Sequence, residues 1–239
     1  EDVEQKYANW LAVLDMVSLK TSEKALDRLY DRALSCESKD SSSTIFETFA
    51  MLAEKYLYDP NSPLRNEEYY LHYAENLSSY AGYDQILRDK YVRQVNGCSL
   101  NRIGAKAADF AFADSRGRVT TLYDIKAPYT LLFFSNPGCE ACMSIIDMLK
   151  GEPRVTEMLS SGFLAVVNVY IDEDIQAWMD YMPIYPTEWH NGFDQNQAIR
   201  TEGLYSVRAI PSLYLLDYEK RVILKDAPEY KMMNYLMSL

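Results

Sequence analysis

The sequence predicts an α/β domain, a central mixed sheet flanked by helices, preceded by an all-α helical domain. Three observations carry this expectation. Up to about residue 96 the apolar residues recur at three- and four-residue steps, the spacing of one helix face. From Ala108 onward, short apolar runs alternate with helical stretches, the pattern of a sheet covered on both faces. The texture changes at Asn96-Gly97, so the boundary is drawn near residue 100, giving a helical domain over 1–100 and an α/β domain over 101–239.

Taken in order, Val3, Tyr7, Trp10, Leu11, Leu14 and Val17 form the first helical stripe. Leu26, Leu29, Tyr30 and Ala33 form the second, after Thr21-Ser22, which can cap. The stretch 36–43 is polar and Ser-rich and reads as a loop. Thr44 with Glu47 fits a capping box, and Ile45, Phe49, Leu52, Ala53 and Tyr56 follow as a third stripe. Tyr58-Asp59-Pro60-Asn61 is a break. Ser62-Pro63 then predicts a helix start, with Ser as cap and Pro at the first helical position. That helix, or helix pair, runs to about Gln94 with an interruption at Gly82. The tyrosines of Glu68-Tyr69-Tyr70-Leu71-His72-Tyr73 are expected in the core rather than on a partner-binding face.

In the second half, 118–122, 130–134, 163–170, 212–216 and 221–224 read as strands, and 142–150, 174–182, 194–202 and 229–237 as helices. Asp114-Ser115-Arg116-Gly117 and Asp217-Tyr218-Glu219-Lys220 read as hairpin turns.

Composition narrows the function classes. A formal net charge of −11 argues against a nucleic-acid-binding face, which needs clustered Lys and Arg. No apolar run approaches the ~20 residues that span a bilayer. Four cysteines are too few to build a disulfide scaffold in 239 residues. The chain begins at Glu1 rather than Met, through a removed leader or a trimmed start, and the absence of a signal peptide is no evidence of a cytoplasmic address.

The chemistry concentrates in Ser135-Asn136-Pro137-Gly138-Cys139-Glu140-Ala141-Cys142. A closed zinc site needs about four ligands. The other candidates, Cys36, Cys98, His72 and His190, are isolated, so no metal is expected. A strand ending at Phe134, a Pro137-Gly138 turn and a helix starting at Cys139 put the first cysteine at a helix N-terminus, where free N–H groups and the dipole favour a thiolate. Cys142 lies one turn further in, more shielded, and can close a short disulfide with Cys139 as attacker and Cys142 as resolver. A CxxC in a strand–helix setting is a redox signature. The second feature is Arg208-Ala209-Ile210-Pro211-Ser212, ahead of a strand. A cis Ile210–Pro211 bond would bring the Ile210 backbone beside the Cys139 sulfur, where it can pair with an extended peptide; an ordinary trans Pro entering a strand is the alternative.

These motifs resemble the thioredoxin-like superfamily over about 101–239, and most of all the periplasmic thiol–disulfide oxidoreductases related to cytochrome-c-maturation thioredoxins. Gly104-Ala105-Lys106-Ala107-Ala108-Asp109-Phe110 resembles their lead-in segment. Thr121-Leu122-Tyr123-Asp124-Ile125 resembles the turn before the central strand, and the stretch from Tyr205 to Asp217 resembles the cis-proline segment. Lys55-Tyr56-Leu57-Tyr58-Asp59-Pro60-Asn61-Ser62-Pro63 resembles helical partner domains of uncharacterised thioredoxin-family proteins from gut-type Gram-negative bacteria. The resemblance implies Cys139 as nucleophile, Cys142 as resolving thiol and Pro211 as the substrate-loop proline. Ile210, Pro137, Gly138 and Glu140 then line the substrate-binding surface. It implies no cofactor, a protein disulfide or dithiol as substrate, an electron-donor protein, and a periplasmic or outer-membrane-anchored location through a removed N-terminal leader.

Three departures matter. Gly138 replaces the usual Trp and opens the site. Phe133 and Ile145 stand where many members carry a buried acid beside the resolving thiol, so neither can accept its proton. Glu140 between the cysteines would raise the thiol pKa by like-charge repulsion, which leans toward a reductant; otherwise it is a solvated first-turn acid. These departures sustain a rival reading, a protein-binding or scaffold module with little redox activity. Asn136 stands where a peroxidase site wants Thr or Ser, so peroxidase activity is not expected. His190 beside Trp189 reads as a surface-loop histidine, with a role in substrate orientation or proton transfer as the alternative, and Cys36 and Cys98 as separate thiols, with a bridge between them as the alternative.

Overall fold

The apolar stripes of the first hundred residues fold as helices. The computed structural model describes residues 2–40 and 42–239, which divide into two units, Glu1–Ser99 and Leu100–Leu239. The first unit contains α1 (Val3–Leu14), α2 (Leu19–Lys39), α3 (Ile45–Ala53), α4 (Glu67–Ser78) and α5 (Gln85–Cys98), with α3 continuing into a π-helical turn over Glu54–Tyr58. Their apolar faces close on one core that includes Tyr7, Leu26, Phe46, Tyr70 and Tyr73, so the tyrosine-rich stretch is interior. Cys36 is exposed, Cys98 is buried, and neither is in a disulfide. Among the described residues no helix is long and apolar enough to cross a membrane.

Three expected boundaries move. Part of 36–43 is helix, not loop: nothing between Cys36 and Lys39 breaks α2, the Asp40 N–H donates to the Cys36 carbonyl, and Lys39 sits at the negative end of the dipole. Ser41 lies outside the described residues. Thr44 makes no capping bond; the Ile45 N–H turns to the Ser43 hydroxyl at 3.4 Å. The helix expected at Ser62-Pro63 starts at Glu67, where the Asn66 side chain accepts the Tyr69 N–H at 3.1 Å. Ser62 instead folds back to donate to the Tyr56 carbonyl at 2.6 Å. The break expected near Gly82 falls between α4 and α5.

The second unit is a seven-stranded sheet of β1 (Ala111–Ala113), β2 (Val119–Thr121), β3 (Tyr129–Phe134), β4 (Leu164–Tyr170), β5 (His190–Phe193), β6 (Ser212–Leu216) and β7 (Val222–Leu224), in the order β2-β1-β5-β4-β3-β6-β7. β3, β4 and β5 are parallel; β6 runs antiparallel to β3, and β1 to β5. Between strands lie α6 (Glu140–Gly151), α7 (Pro153–Ser160), α8 (Ile175–Tyr181) and α9 (Ala198–Thr201), and α10 (Glu229–Ser238) ends the chain. Successive β3 residues point to opposite faces. Leu131 and Phe133 join α6, α7, α8 and α10 in one core, while Leu132 and Phe134 join Phe110, Leu122, Ile199, Tyr205 and Tyr214 in another.

No element was expected over α7, β1 or β5. His190 therefore stands in a strand, not a loop. β5 has no apolar alternation to announce it, because it is short and contains Asn191 and Gly192. Gly192 is demanded by packing: a Cβ there would lie 2.4 Å from the Phe112 ring on β1. The helix expected over 194–202 shrinks to α9 because the Asp194 carboxylate captures the Ala198 and Ile199 N–H groups.

Candidate active site

The apolar β3 stops at Phe134, and Ser135 still pairs with β4 by donating its N–H to the Val169 carbonyl at 3.2 Å. The chain then reverses through Asn136-Pro137-Gly138-Cys139, closed by the Cys139 N–H donating to the Asn136 carbonyl at 3.3 Å. Gly138 has φ +71°, and with Pro before it this is the pattern of a type II turn. The left-handed backbone explains why the bulky residue expected before the cysteine is a glycine.

Cys139 is the N-cap of α6, with extended backbone, and its Sγ accepts the Cys142 N–H at 3.1 Å. It is partly exposed, whereas Cys142 is 1% exposed within the core formed by Phe133, Ile145, Ile146 and Leu149. The two sulfurs are bonded as a disulfide, with Cα atoms 5.2 Å apart, inside the usual range. Glu140, in the first turn of α6, is exposed. Phe133 and Ile145 are buried, so the interior beside Cys142 carries no carboxyl at either position.

Register brings the second predicted segment to the same end of the sheet. Phe134 pairs with Ser212, so the Cys139 turn leaves β3 where the 210–211 segment enters β6. The Ile210–Pro211 peptide is cis. Ile210 and Cys139 both lie partly buried against the same core. Among the described residues neither the N–H nor the C=O of Ile210 takes part in a backbone hydrogen bond. Pro137, Gly138, Cys139, Glu140 and Cys142 thus share one turn and helix start, with Ile210 and Pro211 at the same end of the sheet.

Several polar residues around these segments escaped the sequence reading. Asn136 Nδ2 donates to Asp172 Oδ2 at 2.5 Å, and Asp172 Oδ1 meets Arg200 Nη2 at 2.5 Å. Asp172 follows β4 closely, at the carboxyl end of a parallel strand where α/β folds gather functional groups, and that was the available signal. On the α6 face, Ser135 Oγ donates to Asn168 Oδ1 at 2.5 Å, Asn168 Nδ2 to Asn191 Oδ1 at 2.9 Å, and Asn191 Nδ2 to the Pro186 carbonyl at 2.7 Å. Burial raises the Tyr185 pKa, and its hydroxyl lies 3.4 Å from Ser135 Oγ. Asp226 is 5% exposed and holds Arg208 and Ser212.

Residues 1–100 match a family described as a domain of unknown function, DUF5106. No curated protein matches the chain. Among solved structures, the C-terminal domain of an uncharacterized protein from Bacteroides fragilis is 42% identical, covering 57% of this chain and 98% of that one, with a TM-score of 0.55. The thioredoxin domain of a thiol-disulfide oxidoreductase from Bacteroides vulgatus shares the fold at 20% identity and a TM-score of 0.50, over 57% of this chain and 96% of that one. A thioredoxin-like protein from Bacteroides caccae is 36% identical over 98% of this chain and 83% of its own length, with a TM-score of 0.88. Likeness of that degree along nearly the whole sequence makes this chain a member of the thioredoxin-like family.

Proposed function

We propose that this protein is a thiol–disulfide oxidoreductase that acts on protein substrates. The observation that carries the reading is the asymmetry of the cysteine pair: a partly exposed Cys139 capping α6, and a buried Cys142 one turn behind it and within bonding distance. The Cys142 N–H aimed at Cys139 Sγ favours the charge that a thiolate carries there.

In the reductive direction the Cys139 thiolate attacks one sulfur of a substrate disulfide. A mixed disulfide forms and the other substrate sulfur leaves as a thiolate. Cys142 then attacks Cys139 Sγ, the second substrate sulfur leaves, and two electrons have passed to the substrate while Cys139 and Cys142 become the disulfide. An electron-donor protein must return the dithiol. The backbone of Ile210, which makes no backbone hydrogen bond among the described residues, would offer an edge to an extended substrate strand, with Pro211, Pro137, Gly138 and Glu140 as the other residues of the substrate surface. The reductant direction is supported by Glu140, whose charge disfavours the dithiolate. A periplasmic or outer-membrane setting is supported by the resemblance to cytochrome-c-maturation thioredoxins.

Insulin-disulfide reduction, with Cys139→Ser as control, tests the reading. Loss of turnover in the variant is expected; equal rates in parent and variant would leave only a binding or scaffold role. Cys142→Ser should trap substrates as mixed disulfides on Cys139, identifying them.

A further inference from the structure

The segment proposed to pair with substrate is gripped on both sides by one buried carboxylate. Asp226 Oδ1 accepts the Ser212 hydroxyl at 2.7 Å, and Asp226 Oδ2 accepts Arg208 Nη2 at 3.0 Å. Arg208 lies two residues before Ile210 and Ser212 two residues after it. The side chains of Arg208 and Asp226 are 11% and 6% exposed, so this ion pair is shielded from the water and salt that weaken surface pairs. Asp226 itself is fixed from behind. Its backbone is left-handed, with φ +42°, and the next residue, Ala227, donates its N–H to the Leu213 carbonyl at 3.0 Å. The carboxylate thus sits on a mount bonded to β6. From there it reaches across to the residue ahead of the turn and to the residue at the start of the strand.

Between those two anchors the backbone of Ile210 forms no backbone hydrogen bond among the described residues. Something other than a ladder must keep it in place for an incoming strand. We propose that Asp226 is a positioning residue for substrate: it holds residues 208–212 in the shape that pairs with a protein strand, and touches neither sulfur. The inference rests on the exchange reading above and adds to it how the substrate edge is kept preformed. Preforming a binding segment cuts the ordering entropy lost on association, so the effect falls on substrate capture rather than on the chemistry of Cys139.

The test compares Asp226→Ala, Asp226→Asn and Ser212→Ala with the parent, in the full chain. Two reactions are followed: reduction of insulin across a range of concentrations, and alkylation of reduced Cys139 by iodoacetamide across pH. A positioning role predicts a roughly tenfold rise in KM for insulin in Asp226→Ala and a smaller rise in Ser212→Ala, with kcat within about twofold of the parent. The alkylation profile of Cys139 should coincide in all four proteins. Ser212→Ala keeps the buried ion pair and Asp226→Asn keeps an acceptor, so they carry the test if Asp226→Ala does not fold. Unchanged KM in the folded variants overturns the proposal. So does an equal slowing of insulin reduction and alkylation, which marks a merely structural role. If the parent itself reduces insulin no faster than Cys139→Ser, the exchange reading fails first and takes this proposal with it.

Discussion

Gly138 carries the turn that presents Cys139, and replacing it gives a stability change whose sign and size follow from the backbone. Its φ of +71° lies in the left-handed region, and a Cβ built there meets no atom within 4 Å. Packing therefore contributes nothing, and Gly138→Ala isolates the conformational term. An L-residue in that region costs about 1–2 kcal/mol. Ala stiffens the unfolded chain and returns about 0.4–1 kcal/mol. The net loss should be about 1 kcal/mol, equivalent to about 3 °C in Tm for a unit of this size. Gly138→Asn should lose less, because Asn tolerates left-handed backbone. Gly151 provides the control of opposite sign. It too has open space at its Cβ, but it is the last residue of α6 with no left-handed φ, so Gly151→Ala should stabilise by about 0.5–1 kcal/mol. Calorimetric unfolding of the oxidised protein measures all three. If Gly138→Ala is as stable as Gly151→Ala, the turn is not what holds the glycine, and the account of the missing Trp is wrong.

Further outcomes follow from the surrounding groups. Asp172→Ala unties Asn136 from its anchor and should slow insulin reduction by about three- to tenfold, whereas Arg200→Ala, which loses only a half-exposed partner, should change it less than twofold. Glu140→Gln removes a negative charge beside the attacking sulfur; the midpoint of Cys139 alkylation in the reduced protein should fall by a few tenths of a pH unit, and a rise would exclude the repulsion. Burial, then the neighbouring Lys126, hold the Lys220 pKa below its ordinary value of 10.5. Below the lowered value both folded and unfolded chains bind the proton, and folding bears the full desolvation penalty. Between the lowered value and 10.5 only the unfolded chain holds the proton, so stability rises with pH through that window. Lys220→Met should flatten that rise in denaturant titrations at successive pH values; it also removes the donor to Thr130 Oγ1, so the slope and not the stability at one pH is the readout, and an unchanged slope would clear Lys220 of the effect.

What the sequence made legible was what repeats or punctuates. The 3.6-residue stripes of α1 and α3, the apolar runs of β3, β4 and β6, and the Pro-Gly turn before Cys139 each carry their own local signal. The segments that escaped are those whose structure is imposed from outside. β5 is a strand because β1 and β4 bond to it, and its Gly192 is there because Phe112 leaves no room for a side chain. Ser62-Pro63 has the residue types of a helix start, yet Ser62 finds a better partner in the Tyr56 carbonyl, and Asn66 caps instead. The same division holds at the site. The cysteines and Pro211 announce themselves by spacing, while Asp172 and Asp226 act on residues 36 and 14 positions away, and only the folded register shows whom they meet.

That distribution of charge also bears on the resolving step. Of the carboxylates near the reacting segments, Asp172 and Asp226 are engaged in holding loops, each with an arginine on one oxygen, while Glu140 is exposed in the first turn of α6. On the core face that shields Cys142, the polar groups form the neutral chain from Ser135 through Asn168 and Asn191, and burial keeps the Tyr185 phenol protonated. Neither the amide chain nor the protonated phenol supplies a base. In the proposed reaction a base also arises: when Cys139 attacks, the first substrate sulfur departs as a thiolate, and an ordinary thiol has a pKa of about 8.5. Transfer from Cys142 to that sulfur balances the protons without any interior acid. On this account Phe133 and Ile145 do not abolish the chemistry. They leave that thiolate to take the proton in the proposed resolution, which would then depend on how firmly the loop around Ile210 held a substrate.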